Sequence, residues 1–295
     1  MFKYLKIGVI ALLALTISFT SCKSTKDAIE QSANGLQYRS LENSLLWKIE
    51  GNNLTKPSYL YGTIHIIGSD NYYLPTGTLG AIESTDKMVF EIDMNEMNDM
   101  SKMMGLMDQA FMKDNKTLKD LISEEDYKLV DAHFTEIGMP LMMLERMKPL
   151  FLSVFASGDM DPQALQNGSM KSYEMEFMEM AKDANKPMAG LETIEFQMSV
   201  FDSIPYEAQA EMLVETIKMG DKGSDQMKEM TDLYISQDIN GMISMITEEG
   251  EQMAEYEDVL LSKRNLKWIS GMKDMMNESP TFFAVGAGHL AGDKG

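Results

Sequence analysis

The feature that most constrains this fold is a pair of β-rich runs at opposite ends of the chain. PSYLYGTIH (57–65) opens the globular part and PTFFAVGAGHL (280–290) closes it. Aromatic and β-branched residues bounded by Gly and Pro mark both as strands. SLLWKIEG reads as a further strand, joined to the first run by a turn at Asn52-Asn53. KMVFEIDM, after a short helix in GTLGAIESTD, reads as another. From Asn95 to about Ser279 the signals are almost entirely helical. SEEDYKLVDAHFTEIG carries Ser123 and Asp126 at capping-box spacing, and PYEAQAEMLVETIKMGDKG has a glycine-marked end. The pattern predicts an α/β (α+β) fold: a small central sheet formed from both chain ends, with a large helical lobe over about 95–279.

Both terminal runs end in the same device, Gly-x-x-His: Gly62 to His65 and Gly286 to His289. The whole chain has only 3 histidines, so two in one motif is notable. A residue just after a strand projects from the sheet's carboxyl edge, where ligands gather in α/β proteins. The glycines permit a sharp turn or a close approach to a neighbour. Glu91 is embedded in the strand between Phe90 and Ile92, where a carboxylate is costly unless paired, protonated or bound to a metal. Two imidazoles and a carboxylate from three strands suit a divalent ion such as Zn, Mn, Co or Fe(II). Asp93, two residues on, shares the face of Glu91 as a further ligand or supporting partner. The plain alternative is that Glu91 pairs with Lys87 or Arg264. His133, on a helix with no motif around it, reads as a surface or half-buried residue. No Gly-x-Ser-x-Gly, His-Glu-x-x-His, Walker loop or Cys-x-x-Cys is present, so those chemistries lack support.

The N-terminus belongs to export rather than fold. In MFKYLKIGVIALLALTISFTSC, Lys3 and Lys6 precede an apolar segment too short to span a membrane comfortably. Cys22, the only cysteine, stands where a bacterial lipobox places its lipidated residue, with Phe19 where Leu is usual. Residues 1–21 then form a lipoprotein signal peptide, 22–44 a polar tether and 45–295 one domain. The expected location is a bacterial outer membrane, held by the N-terminal lipid and facing the periplasm. Of the 26 basic residues two lie in 1–21, which has no acids, so 24 face 46 acidic residues afterwards, a net of −22. That charge argues against nucleic acid as a partner and for attraction of cations.

The chain holds 30 methionines. In MNEMNDMSKMMGLMDQAFM, Met94, Met97, Met100, Met103, Met104 and Met107 recur at spacings of three and four. Such a stripe suits the core or contact face of an amphipathic helix; soft thioethers also suit Cu(I).

YLYGTIHIIGSDNYYLP, VFEIDM, MKPLFLSVF, GLETIEFQMSVFDSIPYEAQAEML, LLSKRNLKWISGM and FFAVGAGHLAG follow one another in an order that resembles the TraB/GumN family. The likeness runs from about Leu46 to the last residue. The family's Tiki members are metal-dependent proteases with two Gly-x-x-His motifs and a strand glutamate. The resemblance implies a metal held by His65, Glu91 and His289, with Arg264 of LLSKRNLKW beside it. It also singles out Glu192 and Gln197 of GLET…Q, whose role it leaves open. Family members continue past HLAG into another helix and strand, so the resemblance implies a short C-terminus here.

The expectation is a lipid-anchored metallohydrolase, a peptidase using Mn, Co or Zn on a peptide or protein substrate. Arg264 would stabilise the oxyanion, and Asp93 or Glu192 would serve as general base. The alternatives are a periplasmic binding protein, taking peptide, haem or copper through the Met-rich lobe, and an inactive family member.

Overall fold

The computed structural model describes residues 29–31, 37–39 and 42–295, apart from 53, 97–99, 157–161, 250–254 and 293–294. The expected signal peptide, Cys22 and most of the expected tether lie outside the described residues. Two compact units are distinguished, 1–41 and 42–295. In the first, strands β1 (Ile29–Gln31) and β2 (Gln37–Arg39) pair antiparallel.

The second unit is built on a five-stranded sheet of order β3-β4-β9-β6-β8. Its strands are β3 (Leu46–Ile49), β4 (Ser58–Thr63), β6 (Lys87–Ile92), β8 (Met188–Glu192) and β9 (Thr281–Gly286). Only the β3–β4 hairpin is antiparallel; β4, β9, β6 and β8 are parallel. The closing strand therefore does not sit at the edge. It slots between β4 and β6, bringing the two chain ends together as expected. Phe282 and Phe283 point to opposite faces and both are fully buried, which is why TFFAV is apolar without alternation. Each such burial stabilises by roughly 1.5–3 kcal/mol.

β8 corrects the reading of 95–279 as almost purely helical. MAGLE has little β-branched or aromatic content, so its pattern is weak. Its glycine explains the placement: a Cβ at Gly190 would lie 2.4 Å from the Asp93 backbone nitrogen. β8 reaches β6 closely because that position has no side chain. A small ladder also joins β5 (Ile67–Gly68) to β7 (Met170–Lys171).

The helices are α1 (Thr78–Ser84), α2 (Met100–Met107), α3 (Glu124–Glu136), α4 (Pro149–Ala156), α5 (Pro162–Gln166), α6 (Tyr173–Asp183), α7 (Ile194–Phe201), α8 (Tyr206–Met219), α9 (Asp221–Ile235), α10 (Ile239–Glu249) and α11 (Lys263–Glu278). Ser123 caps α3 by accepting from the Asp126 N–H while its hydroxyl donates to the Asp126 carboxylate. One face of the sheet packs Tyr61, Phe90 and Phe282 against Tyr173 and Phe177 of α6 and Tyr234 of α9. A separate core in the helical lobe joins Val130 and Phe134 of α3, Leu152 of α4 and Leu213 of α8. α11 contributes Trp268 and Arg264, both buried. Met94 lies in the sheet-side core, whereas Met104 and Met107 are exposed at 69% and 57%, so the methionine stripe is not a single core face. The side chains of Met97, Met100 and Met103 lie outside the described ones. His133 is half-buried on α3, its Nε2 3.0 Å from the Ala156 carbonyl.

Candidate metal centre

The parallel strands β4, β9 and β6 end side by side, with Thr63 opposite Gly286 and Phe90 opposite Ala284. Both Gly-x-x-His motifs therefore leave the same edge of the sheet. Neither motif glycine has a positive φ; each is needed for space. A Cβ on Gly62 would lie 3.1 Å from Ala287 Cα and 2.9 Å from Leu290 Cδ1, so the turn carrying His289 rests on the first motif's backbone. A Cβ on Gly286 would lie 3.2 Å from Glu91 Oε1, the oxygen that accepts from the Gly286 N–H at 2.8 Å.

Arg264 is the hub. Nε donates to Glu192 at 3.1 Å, Nη2 to Glu192 Oε1 at 2.6 Å and to Glu91 Oε2 at 2.5 Å. Nη1 donates to the Leu260 carbonyl and to His289 Nε2, each at 3.0 Å. A guanidinium has five N–H donors, and all five have protein acceptors. Leu260 lies in a π-helical turn (Asp258–Ser262) that runs into α11. Burial works against the charge on Arg264, but Glu192 and Glu91 outweigh it and its pKa is raised. In this arrangement no donor of Arg264 is left over for the oxyanion it is expected to stabilise.

His289 is buried and its protonation is legible. An arginine N–H is always a donor, so Nε2 carries the lone pair. Nδ1 then holds the proton and donates to Asn265 Oδ1 at 2.7 Å, while Asn265 Nδ2 donates to the His289 carbonyl. Burial lowers the ring's pKa to about 4; Glu91 opposes this and Arg264 adds to it. The Trp268 ring lies 4.4 Å from the imidazole, and its Nε1–H donates to Glu192 Oε2.

Glu91 is mostly buried, with Oε1 3.7 Å from His289 Nε2. Burial disfavours its charge, but His289, Arg264, His65 and the Gly286 N–H overcome it, lowering its pKa. Gln197 Nε2 donates to Oε2 at 3.0 Å, which gives the glutamine of GLET…Q its place. Of the two plain alternatives for Glu91, Arg264 is the partner; Lys87 pairs with Glu278 instead.

His65 is the contrast. Its side chain is 77% exposed. Nδ1 lies 3.1 Å from Glu174 Oε1, and this bond raises the pKa to about 9. Glu91 adds to the rise and Arg264 opposes it.

The two expected general bases are both held by neighbours. Glu192 is fully committed to Arg264 and Trp268. Asp93 lies just past β6, its Oδ1 accepting from the Asn95 N–H and side-chain amide in a local turn. The residues not foreseen from sequence are Glu174, Asn265 and Trp268. Asn265 was the one with a signal, as the second residue of the Arg-Asn pair.

The donor set fits a divalent ion in kind: a neutral imidazole with its lone pair on Nε2, a carboxylate, and a second imidazole anchored through Nδ1. In the present arrangement Arg264 supplies the positive charge at Glu91 and His289. Among the described residues no three His, Cys, Asp or Glu side chains stand in metal-holding geometry. An ion at these residues thus requires Arg264 to yield its bonds to them.

Comparison with known proteins finds distant relatives. It is 19% identical to the metalloprotease TIKI2 of Danio rerio, over 92% of this chain and 62% of that protein. It is 21% identical to TIKI1 of Danio rerio, over 85% and 60%, and 20% identical to TIKI1 of Xenopus tropicalis, over 95% and 63%. The chain thus spans about six-tenths of the length of these relatives. No solved structure matches it significantly. The family description TraB/PrgY/gumN matches residues 45–295, which hold every residue of the cluster around Arg264, and the chain belongs to that family.

Proposed function

We propose that this chain is a metal-dependent hydrolase, cleaving peptide bonds in a peptide or protein substrate, held to a bacterial membrane by a lipid on Cys22 and facing the periplasm. The observation that carries the chemistry is the junction of the two motifs. Gly286 and Arg264 tie Glu91 to His289 at the sheet edge where His65 projects. The distant likeness to metalloproteases supports the reaction class. Cys22 and the signal-like residues before it support the location.

His65, Glu91 and His289 would hold the ion, which when bound supplies a Lewis acid for the scissile carbonyl and lowers the pKa of water. The chain's own groups prepare for that. Asn265 keeps the His289 proton on Nδ1. Gln197 and the Gly286 N–H hold both oxygens of Glu91. Arg264 balances two buried carboxylates that would otherwise repel each other. His65 Nε2 holds a proton at neutral pH in the metal-free chain and gives it up to an incoming cation.

The test is metal titration of the chelator-treated protein with Mn(II), Co(II) and Zn(II), alongside a peptide-library digest. One ion per chain is expected, with about one proton released at pH 7.5, both abolished in the His65→Ala, His289→Ala double variant. Equal uptake by that variant would sink the assignment. A second reading, capture of peptide, haem or copper by the helical lobe, draws on the exposure of Met104 and Met142, 69% and 78%. Cu(I) retained by the double variant, with no peptidase activity under any divalent ion, would favour it.

A further inference from the structure

We propose that Glu174 is the positioning residue of His65: its carboxylate holds Nδ1 and leaves Nε2 as the ring's working nitrogen. The inference rests on the preceding reading that His65 acts at the site.

Glu174 lies far from both motifs, in the first turn of α6, where the helix end favours a carboxylate. The capping residue Ser172 accepts from the Met175 N–H, and its hydroxyl lies 3.1 Å from Glu174 Oε2 as donor. Oε1 accepts from Thr63 Oγ1 at 2.7 Å, besides meeting His65 Nδ1. Thr63 is buried at the end of β4, two residues before His65. The same carboxylate oxygen thus grips the strand end and the ring.

The surrounding backbone holds Glu174 in register. Just past His65 the chain forms β5, which pairs with β7, immediately before Ser172. The Ser69 N–H extends the lacing by donating to the Ser169 carbonyl at 2.9 Å. A surface His–Glu pair on two free side chains contributes little. Here the carboxylate is only 18% exposed and only the imidazole is open.

The second motif supplies an internal parallel. His289 Nδ1 is likewise held by an oxygen, from Asn265, and its Nε2 faces the cluster. Both imidazoles have the same nitrogen anchored, one by a carboxylate and one by an amide. Such outer partners, where they support a metal ligand, typically change affinity 10–100-fold when removed.

The test uses the full chain with two readouts. The first is the 15N shifts of the His65 ring in the metal-free protein, at a pH where the ring is neutral. A free histidine keeps its proton mainly on Nε2; the wild type is expected to keep it on Nδ1, and Glu174→Ala to revert. Unchanged shifts in that variant overturn the proposal. The second is Co(II) affinity in a double-mutant cycle. Glu174→Ala should weaken binding about 10–100-fold, Glu174→Gln by less, and neither should matter once His65 is alanine. Equal losses with and without His65 would show that Glu174 acts elsewhere, overturning the proposal. Should the wild type bind no Co(II), the metal reading fails while the ring shifts still decide the role of Glu174. Ser123→Ala is the folding control: it removes the cap of α3, which touches neither Glu174 nor His65, and should leave the ring shifts as in the wild type.

Discussion

The two motif histidines follow strands on the same sheet edge yet live in opposite environments. His289 is 5% exposed, neutral, and fixed between Arg264 and Asn265. His65 is 77% exposed, proton-loving, and held by Glu174. The four-residue motif therefore fixes where the backbone leaves the sheet, and the neighbours fix the chemistry. The buried half is a charge cluster in which each member compensates another. The open half has room for something to arrive.

The comparison breaks most visibly on removal of Arg264. Arg264→Met should cost about 3–5 kcal/mol, because Glu91 and Glu192 stay buried without a counter-charge. Lys at the same position keeps the charge but not the five-donor fork, so it should recover only part. His65→Ala should shift stability by less than about 0.5 kcal/mol. Urea midpoints decide the matter; comparable losses at the two positions would erase the distinction.

Acid is the next lever. His289 has a folded pKa of about 4, below its ordinary 6.5. Its contribution is complete above pH 6.5 and is lost as pH falls toward 4, up to about 3 kcal/mol. Glu91, also lowered, acts in the same direction below its ordinary 4.5. His65 has the opposite sign. Raised to about 9, its contribution is present below pH 6.5 and fades as pH rises through 9; the open ring makes it small. Melting temperature against pH should therefore drop on the acid side and stay nearly level on the alkaline side. A His289→Gln variant with an unchanged acid limb would contradict this.

A smaller effect sharpens the link between the motifs. Gly62→Ala should cost about 1–3 kcal/mol, since the added methyl meets Ala287 backbone and Leu290. A neutral outcome in thermal melts would mean that the second motif does not rest on the first.

Much of this was legible in sequence because it is local. PSYLYGTIH and TFFAV declare strands by composition, and Ser123 with Asp126 declares a helix start. Glu91 announced itself as a carboxylate in an apolar strand. β8 was hidden because Gly190, the residue that lets it approach β6, also makes it look unlike a strand. Glu174 was hidden because nothing near it in SYEMEF differs from an ordinary helix face. The pairing of Arg264 with Glu192 was hidden for another reason: spacing places residues together but does not count hydrogen bonds, and here they satisfy one another.

By itself the sequence determined that a sheet would form from both chain ends and that two glycine-spaced histidines would leave it. Hydrophobic periodicity and turn chemistry are carried by neighbouring residues, so they can be read along the chain. Only the tertiary structure decided that one histidine is buried and neutral and the other open and readily protonated. A proton's affinity depends on burial and on charges a few ångströms away, and those come from α6, α11 and β8, remote in sequence and adjacent only after folding.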